Sequence, residues 1–359
     1  MPGRTVIPFG PQHPVFPEPL QLRLTMEEER VIDAVPALGY MHRGIEQLAQ
    51  TKDYAQNVFL MERVCGICSF MHALCYCQSV ESLLGIEAPP RARFMRTIQA
   101  ELGRLQSHYL WLGLVADACG FESLFMQAWR NREMIMDCQE AVSGSRVTIS
   151  TCAIGGCRRD WDDGVLQELT RRLDDVERSM DAIAPVFFED PLVKQRTVGA
   201  GIITKQEATL LGAVGPVARA SGIVEDMRRL GYAAYDELDF KPVVETSCDS
   251  YARMIVRLRE TFQAINLIRQ ALKKMPAGEV LNKWKGTPEG EAISRVEQPR
   301  GELMYYIRSN GGKNPERLRI RTPTLSNIPS LVKMLKGSRL SDVPVIALSI
   351  DSCISCTER

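Results

Sequence analysis

The 359-residue chain has no excess of charge of either sign, with 44 Lys and Arg balancing 44 Asp and Glu. That balance removes the basic footprint of a nucleic-acid binder and of a polybasic membrane patch. Long apolar runs are also missing. The stretch at residues 343–348 falls far short of the roughly 20 residues a bilayer span needs, and no charged-then-apolar leader precedes Pro8. Any membrane association is therefore expected to come through partners. There is no internal repeat, low-complexity tract or clear linker, so one interlocked unit is expected rather than two beads. Disulfide scaffolding is excluded as well, because eleven cysteines are too few for it and odd in number. In a chain without an export signal they point to a reducing compartment, where thiols are ligands, catalysts or small apolar core groups.

What is present falls into three stretches: residues 1–41, 42–295 and 296–359. Six of the twenty prolines lie in the first nineteen residues, which leaves few backbone donors and predicts an extended, pinned loop. Alternation at Leu20, Leu22 and Leu24, then a Glu-rich break before Val31, predicts a hairpin. After Gly39 the period becomes helical. Phe94, Ile98, Leu102, Leu105, Tyr109 and Leu112 recur at steps of three and four after Pro89-Pro90. A second stripe runs from Trp161 to Ile183, expected to be capped by Asp160 and stopped before Pro185. A third follows Asp249, and residues 121–142 supply a fourth helix. The expected fold is mainly α, with a four-helix bundle, a small N-terminal β-sheet and a short β element at residues 303–308 and 318–321.

Two C-x-x-C pairs stand out: Cys65 with Cys68, and Cys353 with Cys356 close to Arg359. Two intervening residues let both sulfurs turn to one side and meet one metal. The pairs make a four-thiolate site only if the fold returns the last residues to the first pair. Such a site suits zinc, iron–sulfur clusters or nickel with iron. Taken alone, each pair also reads as a redox dithiol, as two buried thiols or as half of a structural zinc site. The other seven cysteines show no ligand spacing and read as buried apolar thiols.

ERVCGICSFMH (residues 62–72) and DSCISCTER (351–359) resemble the two metal-binding signatures of the large subunit of nickel–iron hydrogenases, and most of all the energy-converting group related to respiratory complex I. Further similar segments are PFGPQHPVFPEP, HRGIEQLA, EQPRGELMYY and RIRTPTLSNIPSL, so the resemblance spans nearly the whole chain. It implies the fold of that large subunit and reversible heterolytic cleavage of dihydrogen. Cys65 and Cys353 would be terminal nickel ligands, and Cys68 and Cys356 would bridge nickel to an iron carrying carbon monoxide and cyanide. Cys353 would be the first base and Glu18 would take the proton from it. His72, one turn past Cys68, would tune the bridging sulfur. Arg300 and Thr324 would donate to the cyanides, a task the planar donor fork of arginine suits.

Glu46 matches a residue that in relatives helps hold a magnesium or iron near a terminal histidine. Arg359 stands in that place here and has no lone pair to offer a metal. Ser352 replaces the usual proline of the second motif. His13 either lines the proton route or ties the donor-poor loop, and Asp117 is a candidate for the polar cover above the metals. The implied partners are an iron–sulfur small subunit, further iron–sulfur and integral membrane subunits, and ferredoxin, with the chain at the cytoplasmic face of the membrane and no nucleic acid. Two other readings compete: a complex I-type quinone-site subunit, which in that family lacks the four cysteines, and a non-redox protein with a structural four-cysteine zinc.

Overall fold

The structure, a computed structural model, describes residues 4–359. The proline-rich start is more ordered than a pinned loop. Arg4–Phe9 forms β1, which pairs antiparallel with β2 (Gln21–Glu27), and β2 pairs with β3 (Arg30–Ala37) in the expected hairpin. Leu22, Leu24 and Met26 face the core and their neighbours face out, the period-two signature of a half-buried strand. Short helices α1 (Ile45–Ala49) and α2 (Tyr54–Glu62) lead to α3 (Ser69–Leu84).

The bundle consists of α4 (Pro90–Ala118), α5 (Glu122–Ser143), α6 (Asp163–Glu189) and α10 (Ser250–Lys274), with α4 packed on α5 and α10, and α6 on α5 and α10. Between α5 and α6 lies a small hairpin, β4 (Cys152–Ala153) and β5 (Gly156–Cys157). Between α6 and α10 only short pieces form: α7 (Pro191–Thr197), α8 (Lys205–Leu210) and α9 (Pro216–Arg219), followed by two tight turns of helix. Both predicted ends of α6 need correction. Its cap is Asp162, which accepts from the Val165 amide, while Asp160 accepts from the Trp161 amide and pairs with Arg91. Pro185 lies inside the helix, which runs on to Glu189. Packing of the apolar stripe through Ile183 and Phe187 outweighs the one backbone bond that the proline removes.

The C-terminal sheet has a strand that the sequence pattern hides. β6 (Glu289–Gln298) pairs with β7 (Gly301–Asn310), and β7 pairs with β8 (Arg317–Arg321), so the sheet begins ahead of residue 296. Most of β6 is exposed or half-buried, and only Val296–Gln298 is buried, so it carries too few apolar residues to show alternation. The chain ends in α11 (Pro323–Leu335), α12 (Val343–Ser349) and α13 (Ile354–Glu358).

Two apolar cores result. One joins the bundle to the N-terminal sheet and to α11 and α12; the other packs α2 and α3 against the C-terminal sheet. Cys65 and Cys68 precede α3 of the second core, whereas Cys353 and Cys356 follow α12 of the first. The four thiols meet as a separate buried cluster. No helix among the described residues is long and apolar enough to cross a membrane.

Candidate metal centre

The last residues are carried back to the first cysteine pair by specific anchors. Trp111 of α4 donates its indole N–H to the Leu348 carbonyl at 2.7 Å, and Arg253 of α10 donates to Ser349 Oγ at 2.9 Å. Arg43 ties the two motifs directly, donating to the carbonyls of Arg63, Val64 and Ser355 at 2.8, 2.8 and 3.0 Å. Glu358 accepts from the Met41 amide. Ahead of α3 the amides of Ile67 and Cys68 donate to Cys65 Sγ at 3.3 and 3.4 Å, and at the start of α13 the Cys356 amide donates to Cys353 Sγ at 3.4 Å. Amide donors of this kind favour thiolate over thiol.

The cluster pairs one motif with the other. Cys65 Sγ lies 3.4 Å from Cys353 Sγ, and Cys68 Sγ lies 3.4 Å from Cys356 Sγ. The ligand atoms of Cys65, Cys68 and Cys356 are all within 4.8 Å of one another. All four residues are at most 2 % exposed. Burial pushes the Cys68 thiol up, but hydrogen bonds with Cys356 and Cys65 and the Arg300 charge bring it down to about 6. Four converging soft donors in a dry site suit a thiophilic metal or metal pair.

The residues around the thiols are those named from the sequence. Arg300 is buried, donates to the Asp351 carbonyl at 2.8 Å and to Ser107 Oγ at 3.2 Å, and pairs with the Asp351 carboxylate at 3.0 Å. Its position comes from a close backbone approach: Gly215 has φ +65°, and a Cβ there would lie 2.4 Å from the Arg300 carbonyl oxygen. His72 Nε2 meets Cys356 Sγ at 3.4 Å, not Cys68, and its Nδ1 meets the Tyr305 hydroxyl at 2.8 Å. Burial lowers this imidazole to about 3, so it is neutral and bridges Tyr305 and the Cys356 sulfur through its two ring nitrogens. Thr324 Oγ1 accepts from the Cys353 amide at 3.1 Å, which leaves its O–H free to donate.

Glu18 reaches the same place from the proline-rich arm. It accepts from the amides of Ile354 and Ser355, the latter at 2.9 Å, and from the Ser355 hydroxyl. Burial and the charge of Cys353 push its carboxyl up against the pull of those donors. Ser355 Oγ is also 3.3 Å from Cys353 Sγ, so sulfur, hydroxyl and carboxylate form one continuous hydrogen-bonded line. Sequence reasoning missed Ser355, Asp351 and Arg43. Ser355 and Asp351 lie inside the second motif itself, and only the fold shows what they face.

Glu46 and Asp117 stand apart from the thiols, and His13 makes the loop contacts that are one of its two expected roles. Glu46 accepts from the Ile320 amide at 2.8 Å and from Arg359 Nε at 2.9 Å, and it also pairs with Arg319. Two guanidinium cations hold its carboxylate, so this donor set does not suit a magnesium or iron ion. Asp117 is exposed at the end of α4, and the buried acid that pairs with Arg300 is Asp351. His13 accepts from the Val15 amide at 3.2 Å and stacks on Phe9, which ties the loop. The other seven cysteines are buried or nearly so.

A dry four-thiolate pocket, with a buried arginine and a carboxylate close by, is a candidate site for a thiophilic metal. The chain belongs to the family of the 49 kDa subunit of respiratory-chain NADH dehydrogenase and the nickel-dependent hydrogenases: it matches the description "Respiratory-chain NADH dehydrogenase, 49 Kd subunit" over residues 118–287 and 282–359, and "Nickel-dependent hydrogenase" over 43–114. It is 41 % identical to the carbon monoxide-induced hydrogenase of Rhodospirillum rubrum, covering 98 % of this chain and 99 % of that one. It is 39 % identical to the alpha subunit of the membrane-bound hydrogenase of Pyrococcus furiosus (98 % and 87 %), and 35 % identical to an NADH-quinone oxidoreductase subunit of Thermodesulfovibrio yellowstonii (99 % and 96 %). It is thus related both to hydrogenases and to complex I subunits, and is an oxidoreductase subunit by family.

Proposed function

We propose that the chain is the catalytic subunit of a membrane-associated, energy-converting nickel–iron hydrogenase. Four buried thiols from two distant C-x-x-C motifs, paired across the motifs, carry this reading. The cross-pairing suits Cys65 and Cys353 as the terminal nickel ligands and Cys68 and Cys356 as the bridge to iron. When bound, the nickel–iron pair with its carbon monoxide and cyanide ligands supplies reversible heterolytic cleavage of dihydrogen.

The chain's own residues then manage charge and protons. Cys353 Sγ holds the released proton, Ser355 Oγ passes it on, and Glu18 receives it, each step within one line of hydrogen bonds. Glu18 suits the task because it is held off its ordinary value by burial yet remains bonded to amides that steady it. His72 withdraws electron density from Cys356, and Arg300 and Thr324 offer donors to the iron's anionic ligands. Electrons leave through an iron–sulfur small subunit toward ferredoxin, and membrane subunits couple the transfer to ion translocation at the cytoplasmic face of the membrane.

Metal analysis of the anaerobically purified complex tests this reading. Equal nickel and iron, with infrared bands of carbon monoxide and cyanide, are expected. Zinc without nickel sinks the proposal in favour of a structural site. In the same experiment Cys353→Ser is expected to lose nickel while keeping a folded chain, whereas a structural zinc site would lose its fold.

A further inference from the structure

A buried chain of charges leads from Arg300 to a cavity on the far side of the polar core. Arg300 pairs with Asp351 at 3.0 Å, and the second oxygen of Asp351 faces Arg257 Nε at 4.0 Å. Asp351 Oδ2, Arg257 Nε and Nη2, and His108 Nδ1 are all buried and make no hydrogen bond among the described residues. Beyond them His108 Nε2 bonds to Glu260 at 3.0 Å, Glu260 accepts from Arg219 at 2.7 Å, and Arg219 Nη1 reaches Glu297 Oε1 at 2.7 Å. The other oxygen of Glu297 accepts from the Met227 amide at 3.0 Å. Glu297 forms the floor of a cavity of about 540 Å³ whose walls carry Arg295, Glu302 and Arg321.

We propose that Glu297 is a redox-linked proton site: its carboxylate takes a proton from water in this cavity when an electron reaches the thiol centre, and returns the proton when the electron leaves. The balance is one electron from an iron–sulfur carrier at the centre, one proton from solvent, and one O–H bond formed at Glu297. The inference rests on the hydrogenase reading for the identity of the centre.

The geometry makes the coupling adequate. Glu297 and Arg300 are three residues apart in sequence, so their backbones lie within about 10 Å. A unit charge about 10 to 20 Å away, in a medium of effective dielectric near 20, changes a proton affinity about fourfold to fifteenfold. That suffices only for a carboxyl already close to balance. Burial and the neighbouring Asp226 push Glu297 up to about 7, against Arg219 and the Met227 amide. From α4, Arg104 donates to the Glu297 carbonyl, and the Tyr232 hydroxyl accepts from its amide. Arg228 is engaged by Asp226, so it does not neutralise Glu297 directly. Glu260 is held far below the usual carboxylate range by Arg219, despite burial, and stays ionised. Among the carboxyls of this chain of charges, Glu297 is thus placed both at the cavity and near neutrality.

The test uses the assembled complex as wild type, Glu297→Gln and Glu297→Asp, with metal content measured first. The midpoint potential of the nickel centre is then followed spectroscopically between pH 6 and 8. In the wild type the potential is expected to depend on pH through this carboxyl, in the Gln variant that contribution disappears, and in the Asp variant it persists at a shifted pH. If neither variant accumulates, the protonated-carboxyl infrared band of the wild type is titrated in the oxidised and reduced complex. A displacement of about one pH unit supports the proposal and no displacement overturns it. A nickel-loaded Gln variant with the wild-type pH profile overturns this proposal alone. Absence of nickel from the wild type sinks the hydrogenase reading, and this inference with it.

Discussion

In the proposed relay the Ser355 hydroxyl is the link between a proton on Cys353 and Glu18. It touches the sulfur on one side and Glu18 on the other, and no second hydroxyl or imidazole bonds to Glu18 among the described residues. General acid–base steps of this kind contribute about 10²- to 10⁴-fold. Glu18→Gln is therefore expected to keep nickel and iron but to lower hydrogen turnover about 100-fold or more. Ser355→Ala is expected to fall between that variant and wild type, because a water molecule can bridge the gap left by a small hydroxyl. Metal content, turnover and hydrogen–deuterium exchange measured on each variant check this, and full activity in Glu18→Gln would refute the relay. Glu18 shows how far residues can be read without a fold. In sequence it is one carboxylate in a proline-rich arm, singled out only by resemblance, whereas its contacts lie more than three hundred positions away. Ser355 has no sequence signal at all, since its meaning is the pair of atoms it touches.

Among the elements, those built from local periodicity were legible. The hairpin of β2 and β3 and the four bundle helices follow from alternation and from steps of three and four. β6 did not, because its exposed half carries no apolar repeat. The interior of α4 was also opaque. Its stripe of apolar residues was visible, but Arg96, Glu101, Arg104 and His108 are buried as well, with partners on α3, α10, the C-terminal sheet and the loop after α9. No period in one helix reveals that its polar face is covered by others. The approach of α9 to the turn between β6 and β7 is equally invisible in sequence and gives a prediction. Gly215→Ala would drive a Cβ into Gly301 Cα at 2.3 Å and into the Arg300 carbonyl oxygen, at a positive φ besides. A loss of about 2 to 4 kcal/mol in stability is expected, measured by denaturant unfolding, with displaced cyanide infrared bands in any metal-loaded fraction. Unchanged stability and unchanged bands would show that Arg300 is not held by this contact. The clasp at the chain's last residues is a second element of this kind. Glu46→Gln leaves Arg319 and Arg359 facing each other without their shared carboxylate, and faster amide exchange in α13 is expected, read by mass spectrometry.

Across the whole molecule, buried titratable groups pull stability in opposite directions with pH. Burial pushes Glu62 up to about 7, against Ser150 and Arg63, and Glu297 lies at the same value. Burial lowers His72 to about 3 and His108 to about 4, the latter despite Glu260. A carboxyl raised in the folded state binds a proton that the unfolded chain has already lost, so its contribution falls as pH rises from its unfolded value near 4.5 through 7. A histidine lowered in the folded state does the reverse: the unfolded chain gains the proton first, and stability is lost as pH falls below about 6.5. Between pH 5 and 6 the two carboxyls and the two imidazoles therefore oppose one another. Replacing Glu62 by Gln removes one of the four while keeping an acceptor for the Ser150 hydroxyl. Every other group cancels in the comparison with wild type. The difference in unfolding free energy between Glu62→Gln and wild type should then grow in the variant's favour by about 1 kcal/mol over that pH unit. Denaturant midpoints at pH 5, 5.5 and 6 measure it. A difference that stays constant with pH would mean that Glu62 is already ionised in the fold, and that Arg63 and Ser150 outweigh its burial.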